Sequence, residues 1–483
     1  MNTLLNTIVI GSDLSALTAA LVSARHGKST ALIIEENHPS SFSEKGYRFN
    51  SRSMTFGGIN PDGILSHLLK ALDLSLPQNT RTPPPLQVIL PDNRITLFND
   101  PDLLAQEIER ELGIPSKTVR NLYDKAIPAI KASFAPKVKG ETSTGKQKPF
   151  HPPLSIFRKL AGRGIISPLR FYKFKKHPAL VDTFRGLSSV LANVESDTID
   201  PPSLSYALLL LSKGIHPDGD DIGILIDRMR EKFESLGGHI VKDCDVQAVS
   251  MGRSVSVDVK VGEKVFVIDG ESIIASAKWN KLSSALADDK RLSGLARQYR
   301  KSESSFLYPF TFFMGVRQKG IPEMMSETVI FLADKSQHFL KGNLLVMTRS
   351  PRDNTACAPE GGCALGITMF LEDPPRQLHD SVLRHFIHNS LDALENFLPF
   401  LDESIDVIAE DNSILLSRKY QDVINRKITV TNRISSEISL FSNRKHLKNI
   451  AITGGEFAPA VGIEGEIASG IEAAEGIIGR LRG

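Results

Sequence analysis

A glycine turn between two short apolar runs near the N-terminus constrains the fold of this chain more than any other feature. A β-branched run from Thr7 to Ile10 ends at Gly11, and an apolar, alanine-rich helix is predicted from Leu14 to about His26. A second apolar run, Thr30 to Ile34, follows a glycine that ends the helix. Strand, turn, helix and strand in this order predict a βαβ unit and therefore an α/β fold.

The turn follows the dinucleotide-binding pattern Gly-x-Gly-x-x-Gly, with one departure. In that pattern the first glycine makes the turn, the second lets the backbone approach a diphosphate, and the third packs the helix on the strand. The sequence from Gly11 to Ala16 keeps the first glycine and a small residue at the third position, but it places Asp13 at the second. A carboxylate about 4 Å from a phosphate costs roughly 4 kcal/mol at an effective dielectric constant of 20. The nucleotide site is therefore predicted to be weakened or lost.

An acid is expected at the end of the second strand, where it would bind ribose hydroxyls. Glu35 occupies that place, one residue later than the usual spacing, and Glu36 is the alternative. At this end of the chain the predicted nucleotide contacts are Gly11, Ser12, Ser15, Ala16 and Glu35.

The other end of the chain repeats the order of strand, glycine turn and helix. A strand is predicted over 449–453, a glycine-rich turn follows from Gly455 to Gly462, and a helix begins at about Glu464. The turn holds Gly455-Glu456 and Pro459-Ala-Val-Gly462, and the helix holds Ser469-Gly470.

These C-terminal residues resemble the closing motif of FAD-dependent amine-oxidase-like enzymes, in particular the branch of phytoene desaturase, carotenoid isomerase and retinol saturase. The resemblance implies that the acid of the turn holds the ribityl chain and that the N–H groups of the turn face the flavin. It also implies that the strand beginning at Asp245 clasps the adenine through its backbone. Further FAD contacts implied by the resemblance are Val246, Gly455, Glu456, Gly462 and Ile463.

The sequence departs from this family mainly around the cofactor. The family's Gly-Gly-Arg after the second strand is absent from residues 37–45, and Asn50 and Arg52 replace an acid and a glycine. The run from Pro217 to Asp221 replaces a proline-glycine-glycine turn. This run is either an aspartate-rich helix cap or a further loss at the cofactor, and a divalent cation that bridges its acids to phosphate is a third alternative.

The predicted architecture is a discontinuous Rossmann-like FAD/NAD(P)-binding domain with a substrate domain of mixed β-sheet and helices. The nucleotide-binding domain is predicted to comprise residues 1–80, 216–285 and 441–483. The substrate domain is predicted to comprise residues 81–215 and 286–440.

One segment of the predicted substrate domain, residues 131–177, is strongly basic. It carries twelve Lys or Arg and one acid, whereas the formal net charge of the whole chain is +3. Cations mixed with aromatic residues favour peripheral contact with an anionic membrane. A solvated loop is the alternative, and nucleic acid is not expected because no binding motif is present.

Composition restricts the class of protein. Apolar residues make up 41% and charged residues 23% of the chain, as in ordinary soluble proteins. No apolar run approaches the roughly 20 residues of a membrane span, and the N-terminus lacks the basic segment of a secretory signal. Three cysteines form no disulfide framework, which favours the reducing cytoplasm.

His385 and His388 could form a metal pair, but we expect a polar helix face and no metal site.

Two functions are compatible with these features. The first is an FAD-dependent oxidoreductase that transfers hydride at a carbon–carbon bond of an apolar isoprenoid or polyene-like substrate. Flavin would carry that chemistry, so no catalytic side chain is predicted. The second is a flavin-free relative that uses the fold as a lipid-binding or scaffold protein.

Overall fold

The computed structural model describes most of the chain, in the residue ranges 4–35, 41–51, 62–75, 84–134, 176–196, 201–214, 220–287, 306–352, 356–419, 427–430 and 449–481, with the single residues 39 and 199. Several predictions fall outside the described residues: the alternative acid Glu36, the departure at Arg52, and most of the basic segment and of the aspartate-rich run.

The described residues form eighteen strands and eleven α-helices. The strands are β1 (Leu5–Ile10), β2 (Thr30–Ile34), β3 (Ser41–Glu44), β4 (Tyr47–Asn50), β5 (Leu86–Leu90), β6 (Asn93–Leu97), β7 (Val194–Ser196), β8 (His239–Lys242), β9 (Asp245–Met251), β10 (Val255–Val261), β11 (Lys264–Ser276), β12 (Phe306–Arg317), β13 (Thr328–Leu332), β14 (Leu344–Arg349), β15 (Gly362–Leu371), β16 (Ile405–Ile408), β17 (Lys427–Val430) and β18 (Ile450–Thr453). The helices are α1 (Leu14–Arg25), α2 (Ile64–Ala71), α3 (Pro101–Leu112), α4 (Ser116–Phe134), α5 (Pro178–Leu191), α6 (Pro201–Lys213), α7 (Asp220–Ser235), α8 (Leu282–Ala287), α9 (Asp380–Glu395), α10 (Glu410–Lys419) and α11 (Gly462–Leu481).

The first sheet joins both ends of the chain. Its order is β8-β2-β1-β11-β10-β9, and β18 pairs with β11 in parallel. The strands β8, β2, β1 and β11 are parallel, whereas β9 and β10 form an antiparallel meander with β11. Buried parallel strands read as continuous apolar runs, which explains why β1, β2 and β18 could be recognised in the sequence.

The second sheet is mixed and contains the remaining long strands. Its order is β6-β5-β13-β14-β15-β12-β17-β7, with β16 pairing to β12. Most of its neighbours are antiparallel, but β13 pairs with β5 and β17 pairs with β7 in parallel. The fold class is therefore the predicted one, an α/β protein with a Rossmann-like unit and a mixed sheet with helices.

Helix α11 packs directly against α1 and so ties the C-terminus to the first βαβ unit. A side-chain carbon at Gly470 would lie 2.8 Å from Thr18 Cβ and would also collide with the Ser15 carbonyl oxygen. The absence of a side chain at Gly470 therefore permits the close approach of the two helices. One buried apolar cluster extends from α1 and α11 through α5 and α6 to β5.

The pattern of apolar and polar residues predicts one strand over 240–249 and two separate strands over 264–268 and 272–275, and the structure differs from this prediction in two places. The run 240–249 is two strands, β8 and β9, because Asp243 adopts a φ of 54° and turns the chain between them. The two runs 264–268 and 272–275 are one continuous strand, β11. Gly270 pairs with both Val255 and Leu5, so the strand passes there from its antiparallel to its parallel neighbour.

Within the described residues, no helix combines the length and the apolar character needed to cross a membrane.

Candidate functional site

The candidate site lies where the strand order of the first sheet changes direction. Strand β1 has β2 on one side and β11 on the other, with Ile10 opposite Ala275. In open α/β sheets, ligands bind in the crevice beyond the carboxyl ends of the strands at such a point. Gly11 leaves β1 with a φ of 146°, and its Cα faces Ser276 so closely that a side-chain carbon would lie 2.6 Å from Ser276 Cβ.

Asp13 fills the space at the N-terminus of α1. Its side chain is buried and caps the helix by accepting a hydrogen bond of 2.8 Å from the Ala16 N–H. It also accepts hydrogen bonds from the hydroxyl groups of Ser15, at 2.8 Å, and Ser276. The unsatisfied N–H groups and the positive dipole end at a helix N-terminus are what a bound phosphate would use. Here the carboxylate of Asp13 lies at this helix N-terminus and accepts from the Ala16 N–H.

A buried lysine from the neighbouring strand end completes this cluster. Lys278 Nζ lies 2.5 Å from Glu466 Oε1 and 3.9 Å from Asp13 Oδ2, and all three side chains are buried. Burial opposes the charged ammonium, but Glu466, Asp13 and Glu456 together raise the pKa of Lys278 above its ordinary value. The lysine is therefore a fixed buried cation that is balanced by carboxylates of the same chain.

The diphosphate of FAD does not fit this cluster. Among the described residues, three buried carboxyl groups lie near the Lys278 ammonium group, those of Asp13, Glu456 and Glu466. A diphosphate would bring further negative charge next to these carboxyl groups, and like charges placed together in a buried site are strongly unfavourable.

Glu35, the acid predicted to bind ribose, lies at the end of β2 as expected, but its oxygens are bonded to the protein. Oε1 accepts hydrogen bonds of 2.8 Å from the Val246 N–H and from Lys281 Nζ. Oε2 accepts a hydrogen bond of 2.7 Å from Trp279 Nε1. A ribose would have to displace these donors.

Val246, predicted to clasp the adenine through its backbone, is also bonded within the protein. Its N–H donates to Glu35, and its carbonyl accepts a hydrogen bond of 2.9 Å from Lys281 Nζ. Lys281 contacts Asp245 as well. Partial burial opposes its charge, but the hydrogen bonds that its ammonium group donates to Asp245 and Glu35 raise the pKa of Lys281 above its ordinary value. Both polar groups of the predicted adenine contact are therefore engaged.

The C-terminal turn holds the residues predicted to face the flavin. Gly455 and Glu456 lie in a short 3-10 turn after β18, and both are buried. Gly462 begins α11 with a φ of 48°, and a side-chain carbon there would lie 2.5 Å from the Leu191 carbonyl oxygen. Ile463 follows it and is half-buried. The end of α5 thus occupies the space beside the turn.

Tyr206 of α6 closes the N-terminus of α11. Its ring is fully buried and would lie 3.4 Å from a side-chain carbon at Gly462. The Tyr206 oxygen is hydrogen-bonded by the backbone of Glu464. Burial and the nearby Glu464 carboxyl group raise the pKa of Tyr206 well above its ordinary value, so the hydroxyl stays protonated. A tyrosine hydroxyl therefore contacts the backbone directly after the residues that the family resemblance assigns to the flavin.

Glu464 closes the N-terminus of α2 in the same way as Asp13 closes that of α1. Its buried carboxyl group accepts a hydrogen bond of 3.1 Å from the Leu65 N–H and is also bonded by the Ile64 N–H. The carboxyl oxygens fill the space where a side chain at Gly63 would lie. Burial raises the pKa of Glu464 to about 7.

The residues predicted from the sequence therefore lie around one crevice, but most of the side chains bonded to them there were not predicted. The structure brings Gly11, Ser15, Ala16 and Asp13 together in one turn, with Glu35 and Val246 in direct contact at the next strand end. Ser12 is half-buried in the same turn. The residues that sequence reasoning missed are Tyr206, Ser276, Lys278, Trp279, Lys281, Glu464 and Glu466. For Ser276 and Lys278 a signal existed, because they directly follow a strand predicted to end at this edge of the sheet.

The two histidines of α9 contact polar neighbours. His385 Nε2 lies 3.1 Å from Asn389 Nδ2, and His388 Nε2 lies 3.5 Å from Glu410 Oε1. Among the described residues, no group of three or more His, Cys, Asp or Glu is placed to hold a metal ion.

The fold, with a crevice at a strand switch point framed by both chain ends and joined to a mixed sheet, matches that of solved FAD-dependent oxidoreductases. The chain is similar to an oxidoreductase from Methanosarcina mazei, with 14% identity and a TM-score of 0.58 over 97% of this chain and 100% of the other. It is also similar to putrescine oxidase bound to putrescine, with 13% identity and a TM-score of 0.55 over 99% of each chain. At these identities the likeness concerns the fold alone. No family model matches the sequence, and no curated protein is significantly similar to it.

Proposed function

We propose that this protein is a flavin-free relative of the FAD-dependent oxidoreductases and that it binds an apolar, lipid-like ligand rather than catalysing hydride transfer. The observation that carries the proposal is the buried Asp13 carboxylate, which caps α1 and lies beside Lys278. This carboxylate accepts from the Ala16 N–H and lies at the positive dipole end of the helix, where a diphosphate would bind.

The proposal is tested by flavin uptake. The purified protein is expected to be colourless and to show no binding when titrated with FAD, followed by visible absorbance and by calorimetry. A protein that is yellow as purified, or that takes up FAD with saturation, would contradict the proposal.

The variant Asp13→Gly separates a filled site from a merely weakened one. We expect no FAD uptake by this variant, because Glu35, Tyr206 and Glu464 still fill the rest of the crevice. The matched control is Asp100→Gly, which removes the exposed cap of α3. If Asp13→Gly binds FAD and the control Asp100→Gly does not, the crevice is a weakened cofactor site.

The proposed ligand class is supported by the basic segment 131–177 and by the apolar substrates of the resembled family. We place the protein in the cytoplasm, in peripheral contact with an anionic membrane. Each Lys or Arg near such a surface contributes about 1 kcal/mol to binding. The wild type is expected to float with vesicles that contain phosphatidylserine and not with vesicles of phosphatidylcholine alone.

A triple variant tests the segment directly. Replacing Lys173, Lys175 and Lys176 by Gln should lower the affinity for these vesicles about a hundredfold, since roughly 3 kcal/mol is removed. Replacing Lys28, Lys260 and Lys264 by Gln is the control of equal charge. Equal flotation of the two triple variants would mean that the basic segment 131–177 does not bind the membrane.

A second candidate function is an FAD-dependent oxidoreductase that acts on a carbon–carbon bond of an isoprenoid or polyene-like substrate. The position of Glu35 at the end of β2, together with the strand, turn and helix at the C-terminus, favours it. The Asp13→Gly titration decides between the two candidates.

A further inference from the structure

Lys427, the first residue of β17, is a second buried lysine, and it is 3% exposed. Its Nζ atom donates hydrogen bonds to two backbone carbonyls at the end of α5, that of Ala192, at 2.5 Å, and that of Val190, at 3.5 Å. Nζ also lies 5.7 Å from the centre of the Phe370 ring. Among the described residues, these contacts of the ammonium group include no carboxylate.

In the part of the chain that the structure describes, no acid balances the charge of Lys427 as acids balance that of Lys278. The carboxylates around Lys278 raise its pKa, whereas burial lowers the pKa of Lys427 to about 7. A charge in a protein interior is unfavourable unless an opposite charge accompanies it. The surroundings of Lys427 are therefore complementary to an anion.

A second buried donor lies next to Lys427. Strands β17 and β7 are parallel, and Ile428 lies opposite Val194. The preceding residues, Lys427 and Asn193, therefore lie opposite each other on one face of the sheet. Asn193 directly follows the carbonyl that Lys427 contacts, and it is 5% exposed.

Both side chains have N–H groups beyond those used within the protein. Among the described residues, Asn193 Nδ2 has no hydrogen-bond acceptor. An ammonium group has three donors and an amide nitrogen has two, and Lys427 uses two of its three on carbonyls. A buried donor without an acceptor is unfavourable, and a bound anion would supply the acceptor to both groups.

Glu195 lies two residues beyond Asn193 on the same face, but its carboxylate lies beside other cations. Its Oε1 atom is 3.8 Å from Arg185 Nη2 and 3.7 Å from His338 Nε2. Within the described part of the chain, therefore, Glu195 forms no ion pair with Lys427.

We propose that Lys427 and Asn193 bind a monovalent anion between α5 and the second sheet, against Lys427 Nζ and Asn193 Nδ2. A single charge is inferred because one ammonium group is available. Two sources share this chemistry, namely a free ion such as chloride or formate and the carboxylate head of a lipid-like ligand. Only the second source rests on the proposed function, because a free ion would bind whether or not the protein takes up FAD or a lipid.

Anion binding is tested by urea denaturation of the full chain at about pH 6, where the Lys427 amine is protonated. Sodium chloride, formate and octanoate are compared with sodium gluconate, whose large polar anion is not complementary to a buried site. An anion with a dissociation constant of about 10 mM should raise the ratio of folded to unfolded protein about tenfold at about 100 mM. The same ratio in all four salts would overturn the proposal.

Two variants locate the anion. Lys427→Met removes the cation and Asn193→Leu removes the amide donor, so each should weaken anion binding about tenfold or more. The exposed controls Lys242→Met and Asn389→Leu should leave anion binding unchanged.

Asn193→Leu also separates a binding role from a structural one. In gluconate this variant should be at least as stable as the wild type, because it removes a buried donor without an acceptor. A purely structural role of Asn193 predicts a loss of stability instead. If Lys427→Met fails to fold, Asn193→Leu carries the same expectation for anion binding. Stabilisation by an anion that survives in every folded site variant would overturn the proposal.

The same titrations distinguish the two sources of the anion. Chloride and formate should stabilise the protein as strongly as octanoate if the ligand is a free ion. Octanoate should bind at least about tenfold more tightly than formate if the ligand is a lipid carboxylate, because its alkyl chain is then buried. In that case 1-octanol, which has the chain without the charge, should bind at least about tenfold more weakly than octanoate. Either result supports the anion site only if Lys427→Met or Asn193→Leu abolishes it.

Discussion

Asp13 has two structural roles, because it caps α1 and also lies 3.9 Å from the buried ammonium group of Lys278. Loss of an N-cap costs about 1 kcal/mol, and the buried Ser276 hydroxyl, which would lose its acceptor, costs about 1–3 kcal/mol more. Asp13→Ala should therefore lower the free energy of unfolding by about 2–4 kcal/mol. Asp100→Ala removes only an exposed cap of α3 and should cost about 1 kcal/mol. Urea denaturation measures both, and equal losses would contradict the role of the buried contacts of Asp13.

Glu464 predicts a dependence of stability on pH. Its pKa rises from 4.5 to about 7 on folding because the carboxyl group is buried. The folded state therefore binds more protons than the unfolded state between these values, and stability falls as the pH rises through this window. The shift corresponds to about 3 kcal/mol.

The variant Glu464→Gln isolates this contribution. The difference in free energy of unfolding between wild type and variant should fall by about 3 kcal/mol from pH 4.5 to pH 7 and stay constant below pH 4.5. The exposed Glu360→Gln is the control. A difference that does not change with pH would mean that Glu464 does not titrate in this range.

At the residue scale, the sequence predicted the positions of the crevice residues but not their partners. The motif around Gly11 and the acid at Glu35 are local patterns, and each lies where expected. Tyr206 and Glu464 fill the crevice through contacts between elements far apart in the chain, and no local pattern signals such contacts. Asp13 could be recognised as a departure from the pattern, yet its partner Lys278 lies 265 positions later.

At the scale of elements, the packing of α11 on α1 depends on the glycine at their crossing. Gly470→Ala would place a methyl group 2.8 Å from Thr18 Cβ and should cost about 1–3 kcal/mol of stability. Gly476 of the same helix is exposed, and a side-chain carbon there would have no other atom within 4 Å. Gly476→Ala should therefore stabilise the protein by about 0.5–1 kcal/mol. Thermal unfolding of both variants measures these effects. A change in stability of the same sign in both variants would contradict the close crossing of α11 and α1.

Most helices and strands could be predicted because their periodicity is local. The hairpin predicted over 88–97 corresponds to β5 and β6, and the helices predicted over 14–26 and 381–397 correspond to α1 and α9, each within two residues of the predicted bounds. The division between β8 and β9 was missed because the alternation of apolar and polar residues continues across it. The turn there depends on the backbone of Asp243, whose φ of 54° an aspartate tolerates better than most residues.

At the scale of the whole molecule, the fold depends on its last 35 residues. Four isoleucines of α11 are fully or almost fully buried, namely Ile467, Ile471, Ile477 and Ile478. Their burial contributes about 6–12 kcal/mol, which is comparable to the total stability of a typical domain. A chain truncated after residue 448 should therefore lose its cooperative unfolding transition, as measured by circular dichroism. Removal of Arg482 and Gly483 alone is the control and should leave the transition unchanged.

Asp13 and Glu464 act as ligands that are covalently tethered to their own binding sites. A dissociable cofactor stabilises a protein only in proportion to the logarithm of its concentration, whereas a tethered group has an effective concentration set by the chain. These two carboxylates cannot be diluted or depleted. On the proposed flavin-free function, the folded fraction of this protein should consequently stay the same in cells starved of riboflavin, whereas the stability of a protein with a dissociable flavin should fall.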